Sequence, residues 1–509
     1  FKKQIFGYRT GEKQTGSIIK KDEAEYGSQD ILDILPDDED NILVALYPWR
    51  DMGTYWGINR NAIPKVYRLN INTGRKKKVD SLPMPLASGL TDYDGNLRFS
   101  SAIDDENNSV IHYKEANTKE WKKFDLKGFP GVNVRPIGFA SDSDHAYVTA
   151  NAGLGTRALY EIDLKNGGYK KIHHDPKVDI SRFVTDLDTK KVVAVGTVLG
   201  KPEYLYLNKS DPAAKLHKGL RKSFGDSEIR ITSVTKDHKY AVILAFSDVN
   251  SGDYFLMNTE TFAADYLFSR HQKLFPEVMA KTKPVTIKTR DNFEISGYLT
   301  KPKGEQKGLV VFPHGGPHGI RDYWGFDWEV QLLANRGYAV LQVNYRGSGG
   351  FGEAFEVMGH GQWGGLMIND ITDATKQMLK EGHAKSGKVC IYGASYGGYA
   401  ALMSAVKEPN LYKCTIGAMG VYSLPLMYET GDIADRKSGI AYLKNVLGEE
   451  QAKLQQFSPA NNASKIKADV LLIHGKQDER VPIEHAQMMM SSLDKANKKY
   501  EWLEVSDEG

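Results

Sequence analysis

A strand-like phrase recurs five times in the first half of this 509-residue sequence. The copies are Val66–Asn70, Ile111–Lys114, Leu159–Asp163, Tyr204–Asn208 and Asp253–Met257. From Tyr67 through His112, Tyr160 and Tyr204 to Tyr254, the steps are 45, 48, 44 and 50 residues. A strand-built repeat of about 40 to 50 residues is typical of a β-propeller, whose sheets are covered only when their neighbours pack against them. Roughly 270 residues would hold five or six such sheets. The alternative is a β-sandwich with evenly spaced strands.

After Lys281-Thr282-Lys283-Pro284 the sequence alternates between apolar strands and amphipathic helices. The predicted strands are 308–312, 338–343, 388–392, 413–419 and 468–473, and the predicted helices include 330–335 and 370–381. This alternation predicts a mostly parallel, doubly wound sheet, with functional residues at the carboxyl ends of its strands. We therefore predict two domains, a β-propeller over residues 1–270 and an α/β domain over residues 271–509.

The composition is that of a globular protein, with 41% hydrophobic and 26% charged residues. The 67 Lys and Arg against 64 Asp and Glu give a net charge of +3. That balance is too even to indicate a nucleic-acid or acidic-membrane partner. No apolar run approaches the roughly 18 residues of a membrane-spanning helix. The two cysteines, Cys390 and Cys414, lie in apolar strand-like runs, and we predict buried thiols rather than a disulfide.

One predicted strand ends in Gly393-Ala394-Ser395-Tyr396-Gly397, which has the G-x-S-x-G spacing of a nucleophile elbow. In such an elbow a sharp strand-to-helix turn lifts the serine hydroxyl above the sheet, and the flanking glycines avoid clashes with neighbouring backbone. The helix that follows directs its first amides at the site, so the Tyr396 N–H is a candidate donor to an oxyanion. A glycine-rich turn without chemistry is the alternative.

Two more polar loops follow predicted strands at the same edge of the sheet. The glycine-rich motif Pro313-His314-Gly315-Gly316-Pro317-His318-Gly319 can supply a second oxyanion amide, and we expect His314 to bond to backbone rather than to ligate a metal. Asp478 follows the strand 468–473 and comes after the serine, in the Ser, acid, His order of α/β-hydrolases. Glu479 is the alternative candidate for the acid. The structural alternative is that Asp478 is a solvated loop carboxylate without a catalytic role.

These motifs together resemble the prolyl oligopeptidase family of serine peptidases, in particular its acylaminoacyl-peptidase and dipeptidyl-aminopeptidase-like branch. The resemblance covers residues 285–509 and rests on His314–Pro317, Asn344–Ser348, Trp363–Gly365, Gly393–Tyr399 and His474–Pro482. It implies an N-terminal β-propeller and a C-terminal α/β-hydrolase domain. It also implies Ser395 as nucleophile, Asp478 as acid, and the amides of Gly316 and Tyr396 as oxyanion hole.

The resemblance further places Tyr399, Val421, Tyr422 and Leu424 near a specificity pocket, although core packing explains the apolar segment equally well. Arg346 is a candidate ligand for a substrate carbonyl or carboxylate, and a structural salt bridge is its alternative. In the family the propeller restricts access, so that short peptides rather than folded proteins reach the serine.

The sequence departs from the family at the third triad member. The family carries its histidine after the strand that here is Tyr500–Val505, and this sequence there reads Ser506-Asp507-Glu508-Gly509. The last histidine is His485, which we expect on a helix surface. We therefore expect a fragment trimmed at both ends, with an incomplete propeller, and almost no activity from residues 1–509 alone.

Three hypotheses of function follow. The first is a serine peptidase that cleaves short peptides at or near the N-terminus through an acyl-enzyme. The second is a carboxylesterase of the same fold, and the third is a propeller binding protein with an inactive hydrolase domain. No metal, nucleotide or flavin motif is recognised, so no cofactor is expected. Oligomeric state, including a homo-oligomer, and cellular location stay open.

Overall fold

Five small sheets follow one another along the first half of the chain. The computed structural model describes residues 26–51, 56–116, 118–125, 128–140, 142–153, 155–187, 190–225 and 227–506. The first sheet contains β1 (Gly27–Asp33), β2 (Asn41–Asp51), β3 (Trp56–Ile58), β4 (Lys65–Asn70) and β5 (Lys76–Ser81), and the second contains β6 (Ser88–Thr91), β7 (Leu97–Ile103), β8 (Ser109–Tyr113) and β9 (Lys122–Lys123). The third contains β10 (Gly131–Phe139), β11 (His145–Ala152), β12 (Arg157–Asp163) and β13 (Tyr169–His173).

The fourth and fifth sheets complete this series in the described part of the chain. The fourth contains β14 (Ile180–Thr185), β15 (Val192–Val198) and β16 (Pro202–Tyr206), and the fifth contains β17 (Glu228–Val234), β18 (Tyr240–Phe246), β19 (Asp253–Asn258) and β20 (Ala264–Ser269). Each copy of the repeated phrase forms the third strand in the order of its sheet, namely β4, β8, β12, β16 and β19. The predicted β-propeller is confirmed. Residues 1–25, at the front of the predicted domain, lie outside the described residues.

The chain divides into two compact units, and the first holds the first three sheets. Its described residues belong to Phe1–Ala150, Leu159–His173 and Asp188–Val192. Buried apolar side chains join consecutive sheets: Leu43 and Val66 of the first sheet share a cluster with Leu97 of the second. Phe99 of the second sheet packs with Phe139 of the third in the same way. This face-to-face burial is what a propeller repeat needs, because one sheet cannot cover its own faces.

The second unit comprises Asn151–Ala158, His174–Leu187 and Val193–Gly509, and its largest element is an eight-stranded sheet. The strands are β21 (Thr282–Lys288), β22 (Glu294–Thr300), β23 (Gly308–Pro313), β24 (Tyr338–Asn344), β25 (Val389–Ala394), β26 (Cys414–Ala418), β27 (Asp469–Gly475) and β28 (Tyr500–Val505). Their order is β21-β22-β24-β23-β25-β26-β27-β28, and β23 to β28 are all parallel. The predicted α/β-hydrolase domain is confirmed.

Eight α-helices are described in this unit. They are α1 (Pro212–Ser223), α2 (Trp328–Asn335), α3 (Glu353–Val357), α4 (Leu366–Lys380), α5 (Tyr396–Lys407), α6 (Lys437–Val446), α7 (Gln451–Gln456) and α8 (Glu484–Lys495), with short 3₁₀ turns at Pro276–Val278, Pro425–Tyr428 and Pro459–Lys465. Helix α4 begins four residues before the predicted start, directly after Gly365. Helix α5 is buried from Tyr396 to Val406 and lies at the centre of the hydrolase core. In the described residues, no helix is long and apolar enough to cross a membrane.

The two cysteines correct the sequence analysis. Cys390 of β25 and Cys414 of β26 are register partners on neighbouring parallel strands, with Cα atoms 4.7 Å apart. That separation lies within the range that a disulfide bridges, and the two residues form a disulfide, half-buried in the sheet. The prediction of buried thiols is wrong because the register of the two strands is not visible in the sequence.

His485 is a second correction, since it is buried rather than on the surface of its helix. It is 1% exposed and lies on α8 with Met489 and Leu493, at i, i+4 and i+8 of one inward stripe. Its Nδ1 accepts hydrogen bonds from the backbone amides of Tyr422 and Ser423, at 3.3 and 3.4 Å. Burial, with a smaller contribution from the nearby His474, lowers the pKa of His485 to about 4. The imidazole is therefore neutral in the folded protein at pH 7.

Buried neutral His485 predicts an acid-sensitive fold. The unfolded side chain titrates near pH 6.5, so its contribution to stability is present above that pH and is lost as the pH falls towards the folded pKa. Between pH 7 and pH 5 the contribution falls by about 2 kcal/mol. We expect His485→Gln to reduce the fall in the unfolding midpoint, measured by urea titration at both pH values. An equal fall in both proteins would contradict the assignment.

Candidate active site

Ser395 is the single residue that links β25, which ends at Ala394, to α5, which begins at Tyr396. Its backbone has φ +57° and ψ −122°, a conformation that non-glycine residues rarely adopt. The turn is held by two backbone hydrogen bonds: the Ser395 N–H donates to Ala418 O at 2.9 Å, and the Ser395 carbonyl accepts from Tyr399 N–H at 3.1 Å. The strained backbone is the geometry of a nucleophile elbow.

The two glycines of the motif are sterically required. A Cβ on Gly397 would lie 2.3 Å from the carbonyl oxygen of Pro313, at the end of β23. A Cβ on Gly393 would lie 2.6 Å from the backbone of Gly397. Both approaches are to backbone atoms, which cannot rotate away as a side chain can. The turn can therefore sit this close to the neighbouring strand only with glycine at both positions.

Two backbone segments, the start of α5 and the glycine loop after β23, border the serine. Helix α5 has no side-chain cap from the described residues, so its first amides, that of Tyr396 included, are directed at the turn without a side-chain acceptor. The glycine loop after β23 lies against the same turn: a Cβ built on Gly315 would be 3.6 Å from Ser395 Cβ and 3.2 Å from Ala394 O. Gly316 follows with φ +113°, a value that favours glycine. The structure thus brings the Gly316 loop and the start of α5 together at Ser395.

His314 anchors this glycine loop from below. Its Nδ1 donates to Gly315 O at 2.8 Å, and its Nε2 lies 2.8 Å from Ser348 Oγ. The ring stacks on Tyr345 with centroids 4.4 Å apart, and the Tyr345 hydroxyl donates to His314 O at 2.8 Å. Burial lowers the pKa of His314 to about 4, so the ring is neutral at pH 7. The expected bond from His314 to backbone is confirmed.

His318 links three loops that the sequence analysis treated separately. Its Nδ1 donates to Gly347 O at 3.0 Å, and its Nε2 accepts from the Trp363 indole N–H at 3.2 Å. Burial lowers the pKa of His318 to about 4, with His360 as a second cause. His318 thereby ties the glycine loop to the loops that carry Gly347 and Trp363. The glycine-rich motif contains this residue, but its role depends on contacts across the fold.

Asp478 lies in the loop after β27, and β26 separates β27 from the strand that carries Ser395. Strands β25 and β27 are therefore two strand spacings, or about 10 Å, apart. Asp478 Oδ1 accepts the backbone N–H groups of Arg480 and Val481, both at 2.9 Å, and its side chain is 9% exposed. The neighbouring Glu479 is exposed. Of the two carboxylates, Asp478 is the one that the loop holds in place.

Two described histidines lie near this acid in sequence, and both have structural partners. His474 is fully buried, and its Nε2 donates to Val481 O at 2.7 Å. His485 accepts two backbone amides, as described above. The family position for the base follows β28, where residues 507–509 lie outside the described residues. The end of β28 borders the acid loop, because Lys476 N–H donates to Val505 O at 2.9 Å.

Arg346 lies in the loop after β24 and is held by two aspartates. Its Nη2 and Nε donate to Asp370 at 2.6 and 2.9 Å, and its Nη1 and Nη2 donate to Asp291 at 2.5 and 3.1 Å. The Arg346 side chain is 5% exposed. Its hydrogen bond holds the pKa of Asp291 well below the usual range. Such ion pairs are what the alternative explanation of Arg346, a structural salt bridge, predicts.

The other predicted substrate residues are buried. Tyr399, Val421, Tyr422 and Leu424 are at most 3% exposed and belong to the hydrolase core. The Tyr399 hydroxyl donates to Phe457 O at 2.9 Å, and the Leu424 N–H donates to Ser458 Oγ at 2.9 Å. Tyr399 lies on α5, and the other three lie on the segment after β26. Among the described residues, no group of three or more His, Cys, Asp or Glu could hold a metal ion.

Comparison with known proteins gives a consistent result. The profile of the prolyl oligopeptidase family matches residues 324–509. Dipeptidyl aminopeptidase BIII of Pseudoxanthomonas mexicana is 29% identical over 461 residues, which cover 87% of this chain and 66% of that protein. The acylamino-acid-releasing enzyme of Sus scrofa is 32% identical over 188 residues, 36% of this chain and 25% of that protein. The chain thus spans less than two thirds of the length of these curated relatives.

The fold agrees with solved structures as well. The acylaminoacyl peptidase of Pyrococcus horikoshii superimposes with a TM-score of 0.66 at 20% sequence identity, over 92% of this chain and 76% of that one. At this identity the likeness establishes the fold. The matched profile assigns residues 324–509, which carry the elbow at Ser395, to the prolyl oligopeptidase family.

Proposed function

We propose that this chain is the propeller and hydrolase part of a serine peptidase that cleaves short peptides through an acyl-enzyme. The observation that carries the proposal is the strained Ser395 backbone, with the start of α5 directly after it and the glycine loop packed against it. A structural turn has no need of a positive φ at serine, whereas a nucleophile needs its hydroxyl raised above the sheet. The proposal also rests on the match of residues 324–509 to the prolyl oligopeptidase family.

In the proposed reaction Ser395 Oγ attacks the carbonyl carbon of the scissile peptide bond and passes its proton to a histidine. The negative charge that develops on the carbonyl oxygen is stabilised by the amides of Gly316 and Tyr396 and by the N-terminal end of α5. The histidine then gives the proton to the leaving amine, and the C–N bond breaks. Water hydrolyses the ester on Ser395 by the same steps in reverse order.

Asp478 is proposed to orient that histidine and to stabilise its charged form. Its Oδ1 is occupied by two backbone amides, and its Oδ2, which lies 3.9 Å from His474 Nε2, is the oxygen proposed to accept from the imidazole. We place the base on the loop after β28, as the family resemblance implies. The bond from Lys476 to Val505 supports this placement, because it fixes the end of β28 beside the loop that carries Asp478.

The substrate class is proposed from the relatives. Their names denote a dipeptidyl aminopeptidase and an acylamino-acid-releasing enzyme, which both act at the amino end of a peptide. We propose the same end for this protein, with the propeller admitting short peptides. Some family members hold a free amino terminus with adjacent glutamates of the propeller. The adjacent glutamates of this sequence, Glu449-Glu450, lie in the hydrolase part, so a strict dipeptidyl peptidase is the less favoured form of the proposal.

The first prediction concerns the nucleophile. A fluorophosphonate probe should label the native protein at Ser395, because the probe reacts with a serine activated by a base and an oxyanion hole. Ser395→Ala should abolish labelling without loss of folding, since a methyl group replaces only the hydroxyl. Gel fluorescence followed by peptide mapping measures the outcome. Labelling that survives in Ser395→Ala would refute the assignment.

The second prediction distinguishes the catalytic role of the Asp478 carboxylate from its role in holding the loop. Asp478→Asn keeps an Oδ1 that can accept from Arg480 and Val481, so the loop should stay in place. Turnover of an N-acyl peptide anilide should fall by a factor on the order of 10⁴, because an amide favours the wrong imidazole tautomer. Glu479→Gln is the matched control and should retain activity. Equal losses in the two variants would contradict the role of Asp478.

The third prediction concerns the base. A polypeptide of residues 1–509 has no histidine after His485. Its turnover should be lower by about a factor of 10⁶ than that of the native chain continued through a histidine after β28. Added imidazole should raise the turnover of residues 1–509 but not that of the same polypeptide with Ser395→Ala. Equal turnover with and without that histidine would show that the base lies elsewhere.

A further inference from the structure

Helix α1 and the end of β16 line an open cavity of about 510 Å³ with a strongly basic wall. Lys209 precedes the helix, and Lys215, Lys218 and Lys222 lie on it. The other lining residues are Ala214, Gly219 and Tyr206. The volume lies within the range of small-ligand sites, so the cavity is large enough to hold part of a peptide.

The opposite side of α1 fixes the helix to the propeller. Asp211 caps the N-terminus by accepting the amides of Ala213 and Ala214, and Leu220 is buried against the fifth sheet. The His217 Nδ1 lies 3.0 Å from the Tyr206 hydroxyl. Arg221 donates to Glu228 at 3.1 Å and stacks over Tyr204. The side of α1 that carries Lys215, Lys218 and Lys222, here called the lysine face, therefore belongs to a helix that is held at its N-terminal cap and along its opposite side.

The charge of this face is local and uncompensated by the described residues. The whole chain is nearly neutral at +3, and yet four lysines border one cavity whose lining contains no carboxylate. All four lysines are exposed, and none forms an ion pair with a carboxylate in the part of the chain that the structure describes. Charges of one sign around a concave surface raise the local concentration of a counter-ion. The cavity therefore favours an anionic ligand.

The spacing of the lysines selects an extended ligand. Lys215 and Lys222 are seven residues apart, which corresponds to about 10 Å along a helix. One phosphate or carboxylate cannot span that distance. Alternate side chains of an extended peptide project on one side about 6.6 Å apart, so two or three acidic side chains match the row. Lysine is also a flexible point charge without the planar fork with which arginine selects single carboxylates.

Gly219 gives the cavity its depth. It lies in the middle of α1, where glycine is less favourable than alanine. A Cβ built on it meets nothing within 4 Å, so packing against a neighbour does not require the glycine. Its absence of a side chain leaves the space between Lys215, Lys218 and Lys222 open. Any longer side chain at this position would project into that space.

We propose that this cavity is a docking site for an extended acidic peptide segment, with aspartate or glutamate at alternate positions. The site is independent of Ser395 and of the proposed peptidase activity. It would bind acidic peptides through four ammonium groups, with an affinity that falls as salt screens the charges.

The test uses full-length protein with Ser395→Ala, so that a peptide probe is not cleaved. The probe is a fluorescein-labelled octapeptide of alternating Glu and Ser, and its control is the same peptide with Gln in place of Glu. Fluorescence anisotropy should show saturable, salt-sensitive binding of the acidic probe alone. Equal binding of the two peptides, or no binding at low salt, would refute the proposal.

Two variants at one position separate the cavity from the fold. Gly219→Ala and Gly219→Glu both replace a helix-interior glycine with a better helix former, so both should fold at least as well as the parent. Gly219→Ala should keep the affinity within about twofold, whereas Gly219→Glu should weaken it at least about tenfold because its own carboxylate occupies the lysines. Equal affinities of the two variants would place the probe elsewhere.

A charge-matched pair tests the lysines directly. Lys215→Glu with Lys218→Glu changes the net charge as much as Lys170→Glu with Lys171→Glu, two exposed lysines on β13. Only the first pair should weaken binding. Equal losses would show a general charge effect. Full displacement of the probe by inorganic phosphate at matched ionic strength would show that a phosphate site, rather than a peptide site, occupies the cavity.

Discussion

The close approach of the Ser395 turn to the end of β23 is the contact on which the site depends. Gly397 leaves room for the Pro313 carbonyl where a Cβ would be 2.3 Å away, and Gly393 leaves room for Gly397. This contact holds the Ser395 turn against the end of β23, brings the glycine loop of Gly315 alongside and places the start of α5 beside that loop. The anchoring residues His314 and His318 hold the loop from its other side. Strain at Ser395 is thus maintained by packing that surrounds it on both sides.

Features that repeat or follow a local rule could be predicted from the sequence. The propeller was visible because each blade repeats a phrase on its third strand, and the elbow was visible because steric rules fix its glycines. The segment after β26 shows the limit of such rules. Tyr422 lies in an apolar stretch of sequence, and such a stretch is explained equally well by burial in the core and by a substrate pocket. The burial of His485 could also have been predicted, because it lies four and eight residues before Met489 and Leu493, on the same buried stripe of α8.

Features that depend on register or long-range contact could not be predicted. The disulfide of Cys390 and Cys414 depends on the alignment of two strands that are 24 residues apart in sequence. The ion pairs of Arg346 join an aspartate on α4 to one before β22. The fourth blade carries α1 after β16, where a regular repeat would place another strand. In each case the sequence contains the residues, but their partners are defined only by the fold.

The central claim is that Ser395 forms an ester with the acyl part of a peptide. The most direct test is acid quenching of the native protein during turnover of an N-acyl peptide ester, followed by intact mass and peptide mapping. We expect a transient mass increase equal to the acyl group, located on the peptide that contains Ser395. An acyl group on another residue, or turnover with no covalent adduct under conditions where deacylation limits the rate, would contradict it.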